Sequence, residues 1–188
     1  MAFWTTEAQM STKDPKRGFR FRVQFDGLVV GPIVWFAKKV SKPNFTITEA
    51  KHSFLNHNFY YPGRVEWQEI SLTLVDPVSV DAVRNTNSMI QSAGYRVPNS
   101  PLEWESMSKG KASQAMGPVE IVQLDSEGNA LETWKLKNSF IKSVKYGELS
   151  YEDDNLTEIE LGLRYDWATC VTNNGVDGAQ NFFDTQAQ

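Results

Sequence analysis

The sequence has little of what most site chemistry requires. It holds one cysteine, Cys170, and two histidines among 188 residues. A lone cysteine excludes an internal disulfide and leaves the redox compartment open. Its neighbours Ala168, Thr169 and Val171 carry no charge that would lower a thiol pKa, so a reactive role has no support. His52 and His57 stand five apart. On a continuous strand that spacing sends them to opposite faces, and joint metal ligation would need a break between them. Long apolar runs are missing too. The most apolar stretch, Leu28 to Ala37, is interrupted at Gly31-Pro32 and falls well short of the ~20 residues that span a bilayer. The opening MAFWTTEAQMSTKDPKRG has no apolar centre of the secretory kind, so neither that export route nor membrane insertion is expected.

Catalytic and cofactor motifs are equally scarce. There is no Walker loop, no G-x-G-x-x-G, no C-x-x-C and no H-E-x-x-H, and nothing marks a nucleophile elbow. Asp153-Asp154 before Asn155 lacks the regular oxygen spacing of a calcium loop and reads as a solvated turn. No catalytic residue, cofactor or metal is therefore expected. The net charge of −4 argues against a dedicated nucleic-acid binder, which carries a basic footprint.

What is present is β pattern. At 40% hydrophobic and 12% aromatic residues, a chain of this length has enough apolar material for the core of one domain. Residues 1–17 are polar and read as a flexible arm. Phe19, Phe21, Val23 and Phe25 alternate with polar residues, which predicts a strand with one buried face. Asp26-Gly27 is a candidate hairpin turn. Further strands are expected at Ile33–Val40 and Phe45–Phe54. Pro62-Gly63 reads as a tight turn leading into a strand from Val65 to Val75, with a β-bulge near Gln68-Glu69. Asp76-Pro77 opens one amphipathic helix carrying Val80, Val83, Asn87 and Ile90, stopped by Gly94. Tyr95–Gly117 reads as a long contact loop or a mobile one. Val119–Leu124 and Ala130–Leu136 form a hairpin around Asp125–Asn129, and Phe140, Ile141 and Val144 suggest a partly buried connection. Ile159, Leu161, Leu163, Tyr165 and Trp167 predict a last strand with one apolar face, followed by a loose tail. Phe182-Phe183 is a candidate for docking that tail on a neighbour. The expected fold is mainly β (α+β): an antiparallel sandwich or barrel with one flanking helix, spanning 18–167, with a C-terminal extension at 168–188.

The stretch from Phe54 to Val75, FLNHNFYYPGRVEWQEISLTLV, resembles the tail tube proteins of contractile-tailed bacteriophages. In that family a polar, aromatic segment leads through a turn into a W-x-x-[IV]-x-[LIV]-x-[LIV] strand. A capped helix follows, and a strand ends in an aromatic pair such as Tyr165-x-Trp167. The likeness covers roughly residues 19 to 167. It implies hexameric rings whose sheets join into a continuous inner β-barrel and stack into a hollow tube. That tube would be a non-enzymatic virion component, assembled in the host cytoplasm and enclosed by a contractile sheath. The tape measure protein and, transiently, phage DNA would occupy the lumen, with a baseplate and tail terminator at the ends. The same fold serves the haemolysin-coregulated protein of type VI secretion and the tubes of phage-like bacteriocins, and these remain alternatives. A monomeric β-sandwich binding module is a further one.

Two groups of candidate site residues follow. Asn56, Phe59, Tyr60, Tyr61 and Arg64 are candidates for ring-to-ring stacking, because aromatics and arginine dominate interfaces. They read equally as plain core. Ser71 and Thr73, or Glu158 and Glu160, are candidates for the lumen, where neutral-to-acidic side chains would let DNA pass. The alternative is that they face bulk water or the sheath.

Overall fold

The computed structural model describes residues 15–26, 37–79, 81–100, 105–152, 154–173 and 179–184. Expectations for residues 1–14, Gly27, the Ile33–Phe36 half of the second strand, Val80, Asp153 and most of the far tail lie outside them. In chain order the elements begin with β1 (Phe21–Phe25), β2 (Ala37–Val40), β3 (Phe45–Phe54), β4 (His57–Trp67) and β5 (Ile70–Val75). Two helices follow, α1 (Ala82–Ser92) and α2 (Lys109–Met116). The chain then runs through β6 (Val119–Leu124), β7 (Ala130–Lys137), β8 (Phe140–Lys145), β9 (Glu158–Arg164), β10 (Trp167–Asn173) and β11 (Ala179–Phe182).

Three antiparallel sheets result. A five-stranded sheet has the order β1-β6-β7-β10-β11, a four-stranded sheet the order β2-β5-β9-β8, and β3 pairs only with β4. The first two pack face to face. Val23, Phe25, Val119, Ile121 and Leu136 of one meet Ile70, Leu72, Leu74, Ile159, Leu161 and Leu163 of the other in a single core. Each such side chain contributes roughly 1.5–3 kcal/mol by leaving water. Met89 of α1 and Met116 of α2 join that core from the side.

Several expectations are corrected. The hairpin turn is at Leu55-Asn56, where Leu55 takes φ 49°. Pro62-Gly63 instead lies within β4, at a bulge: Ile47 faces Val65, but Glu49 faces Pro62. An added Cβ at Gly63 would lie 2.4 Å from the Thr48 hydroxyl, so glycine there permits the close approach. The Val65–Val75 strand is two strands in different sheets, parted at Gln68-Glu69 by a sheet change and not by a bulge.

The first helix begins at Ala82 rather than Pro77. Asp81 caps it by accepting from Arg84 N at 2.8 Å, while Asp76 accepts from Ala82 N at 3.0 Å. Gly94 does end that helix, at φ 103°. The expected long loop contains α2, capped by Ser108 and stopped by Gly117. The expected Phe140–Val144 connection is an edge strand, β8.

The last strand is also two. The period of two holds through Tyr165 and then slips, because Ala168 and Cys170 are buried and Trp167 is exposed. At Asp166 the chain crosses between sheets: its N–H donates to Lys137 O at 3.1 Å, and its carboxylate accepts from Lys109 and Asn138. Burial resists that charge, but the Lys109 bond, the larger influence, holds the carboxyl below its usual range. The stretch after Trp167, expected loose, therefore begins as β10, paired on both sides, and the 167/168 division falls inside it.

A candidate assembly surface

The pair β3–β4 is a two-stranded ribbon that leaves the body. Every residue of both strands is exposed except Trp67, which is half-buried. Its root is aromatic: Phe45 and Trp67 stand edge-on at 5.0 Å, Trp67 meets Tyr165 at 5.9 Å, and Phe183 packs on both Phe45 and Trp67. Phe183 thus packs on its own chain while about half of its surface stays exposed. The Tyr165 hydroxyl is buried, and burial, opposed by the Asn44 backbone, pushes its pKa up to about 12. A second anchor holds the entry to the ribbon. Lys42, just before β3, and Lys16 each lie 2.7 Å from Glu132 of β7.

The stacking candidates are all on this ribbon, and none is core. Asn56 is in the turn. Register places Phe59 opposite His52 and Tyr61 opposite Ala50, on the face shared with Phe54, while Tyr60, opposite Lys51, takes the other face. Arg64 sits at the bulge, where its N–H donates to Thr48 Oγ1 at 2.8 Å. The turn is also the break the histidines needed. His52 pairs with Phe59 and His57 with Phe54, so both lie on one face. Among the described residues no group of three or more His, Cys, Asp or Glu is placed to hold a metal.

The lumen candidates, set out from sequence as two alternative faces, share one. Thr73 faces Glu160 across β5–β9, with Ser71 opposite Gly162 and Val75 opposite Glu158. This is the face of the four-stranded sheet turned away from the core. Thr73 is buried among longer neighbours, between Lys39 and Glu160. The expectation of a neutral-to-acidic face is corrected in one respect, because each carboxylate on it meets a lysine. Glu158 pairs with Lys38, Glu160 with Lys145 at 3.1 Å, and Glu69 with Lys142 at 2.5 Å. Gly162 makes room for the last pair, since a Cβ there would lie 2.7 Å from Glu69 Oε1.

At the far end of this sheet lies a feature not anticipated as a site. The chain between β8 and β9 makes an excursion closed at its base, where Gly147, at φ 77°, lies against Glu158 O. Asp76 N donates to Thr157 O at 3.0 Å, so the β5–α1 connection lies alongside. Val78, Leu149 and Tyr151 are almost fully exposed here, and Leu156 largely so.

Cys170 is buried, and burial, followed by the charge of Glu132, pushes its thiol up. No helix among the described residues is long and apolar enough to cross a membrane.

No protein-family model matches the sequence, and no curated protein matches it. Solved structures do match. A chain of the anti-feeding prophage baseplate, from a six-fold-symmetrised cryo-EM structure, has a TM-score of 0.63 at 15% identity, over 85% of this chain and 97% of its own. A chain of the anti-feeding prophage cap, which terminates the tube, gives 0.62 at 15% identity over 92% and 99%. A chain from the extended sheath–tube complex of the extracellular contractile injection system PVC gives 0.59 at 18% identity over 89% and 99%. The fold is therefore one found in chains of contractile injection system assemblies, as the resemblance implied. At these identities the likeness is one of fold.

Proposed function

We propose that this chain is the repeating subunit of the inner tube of a contractile phage tail, built from stacked hexameric rings. The observation that carries the reading is the unfinished state of the subunit. The four-stranded sheet ends at β2 and β8 with no further strand beyond either among the described residues, and the ribbon exposes nearly all of its aromatics. Open edges invite pairing with another chain, and ring closure consumes them. In this reading β2 of one subunit adds to β8 of the next, extending the sheet into an inner barrel.

The face bearing Ser71, Thr73, Glu158 and Glu160 then lines the lumen. Lys38, Lys142 and Lys145 on that face are each tied to a carboxylate, which reduces their share of the counterion release that would make DNA stick, while Lys39 opposite Thr73 adds a further cation. Asn56, Phe59, Tyr60, Tyr61 and Arg64 serve stacking. The sheath lies outside, the tape measure protein and then DNA lie within, and baseplate and terminator close the ends. A second reading, the inner tube of a phage-like contractile injection system, is favoured by the likeness to chains of the anti-feeding prophage and PVC assemblies.

Negative-stain microscopy of the purified protein tests the common core of both readings. Six-fold rings and hollow rods are expected; a protein that stays monomeric at high concentration would refute them.

A further inference from the structure

The ribbon and the 147–157 loop leave opposite ends of the same sheet. In the β5–β9 register, Ile70 faces Leu163 at the end where the ribbon is rooted, and Val75 faces Glu158 at the end where the loop is closed. Both segments carry apolar residues that stay close to half exposed or more among the described residues. On the ribbon these include Phe54, Leu55, Phe59 and Tyr61, with Leu55 held at the tip in a left-handed conformation that leucine rarely adopts. On the loop, Leu149 is 88% exposed and Tyr151 is as open as in an extended chain, and Val78 is exposed two residues after Asp76, which bonds Thr157.

Their charges are complementary. Residues 50–61 contain Lys51, His52 and His57 and no acidic residue, whereas residues 146–157 contain Glu148, Glu152, Asp153 and Asp154 and no basic one. Two apolar patches of opposite charge bias, at opposite ends of one molecule, make a heterologous pair that propagates head to tail. A monomer would leave both wet, although contiguous exposed apolar surface of this kind marks interaction sites.

We infer that the 147–157 loop, with Val78, is the docking surface for the β3–β4 ribbon of a second copy of this chain in the next ring. This rests on the tube reading above and adds the receiving half of the contact. The ribbon supplies Phe54, Phe59 and Tyr61 on the face that also carries His52 and His57, with Lys51 on the opposite face, and the loop supplies Leu149, Tyr151 and an acidic rim. Because the contact joins unlike surfaces, removing either half stops growth in one direction only.

That property gives the test. A ribbon variant, Phe59→Ser with Tyr61→Ser, and a loop variant, Leu149→Ser with Tyr151→Ser, are purified separately and imaged by negative stain. Circular dichroism confirms that each folds, and Tyr61→Ser alone serves as a milder ribbon variant. Each variant alone is expected to give single rings and no rods. Mixed one to one, they are expected to give ring pairs that stop at two, because the loop variant's intact ribbon docks on the ribbon variant's intact loop. Rods from the loop variant alone, or a mixture holding only single rings, would overturn the inference while leaving the tube reading intact. Loss of rings as well as rods would assign these residues to contacts within a ring and overturn it too. If the unsubstituted chain forms neither rings nor rods, the tube reading itself fails.

Discussion

Glu132 gives the sharpest quantitative expectation. Its carboxylate accepts from Lys16 and Lys42 at 2.7 Å and from the Trp134 indole, and its side chain is only 11% exposed. Burial alone would raise its pKa. The hydrogen bonds from Lys16, Lys42 and Trp134 outweigh burial and bring the carboxyl from 4.5 down to about 2. That fall corresponds to about 3 kcal/mol at most. The lysines are about half exposed, so solvent screening reduces the working figure to about 2 kcal/mol. The sign follows from the lowered pKa: the stabilisation is complete above pH 4.5 and is lost as pH falls towards 2. Glu132→Gln should therefore destabilise the subunit by about 2 kcal/mol at pH 7, and the deficit should shrink to about 1 kcal/mol or less at pH 3. Urea unfolding followed by tryptophan fluorescence at the two pH values reads both numbers. A variant within about 0.5 kcal/mol of the parent at pH 7, or a deficit equal at both pH values, would refute the reasoning.

Gly147→Ala should cost about 1–3 kcal/mol, read as a lowered Tm, because alanine is strained at φ 77° and its Cβ would lie 2.8 Å from Glu158 O. Glu160→Lys should leave rods intact but slow DNA ejection, since it replaces a paired carboxylate with a free cation beside Lys145. Normal ejection kinetics would count against the lumen assignment. Cys170 should resist iodoacetamide at pH 8 in the folded protein and react on unfolding, because burial first and the Glu132 charge second raise its thiol; fast labelling of the folded form would contradict its placement.

The sheets were legible in the sequence wherever one face is buried, because alternation then has a single reading. Phe21–Phe25, Ile70–Val75 and Ile159–Leu163 show this. The ribbon was not legible as a ribbon. With both faces in water, its aromatics carry no inward or outward pattern, and Pro62-Gly63 imitates a turn that lies elsewhere. Strand changes between sheets escaped for a related reason. A chain that leaves one sheet and enters another keeps its β composition, and only the parity slip at Ala168 and Cys170 marks the crossing. The second helix did leave a signal: Ser108 before it, Gly117 after it, and Ala112, Ala115 and Met116 at helical spacing. The candidate lumen residues were chosen as two sets, and only the β5–β9 register could join them on one face. The loop at 147–157 had no signal beyond its acidity, since its apolar residues become notable only once their exposure is known.

The placement of ribbon and loop at opposite ends of β5 and β9 also determines how the subunit bears mechanical load. Tension between the two features enters β5 at Ile70 and leaves β9 at Glu158, along the strands and across hydrogen bonds that run perpendicular to them. The bonds of all the paired residues from Ile70 to Val75 are then strained together instead of parting one after another like a zip. A thrust or pull between ribbon and loop therefore meets the subunit in its stiffest direction.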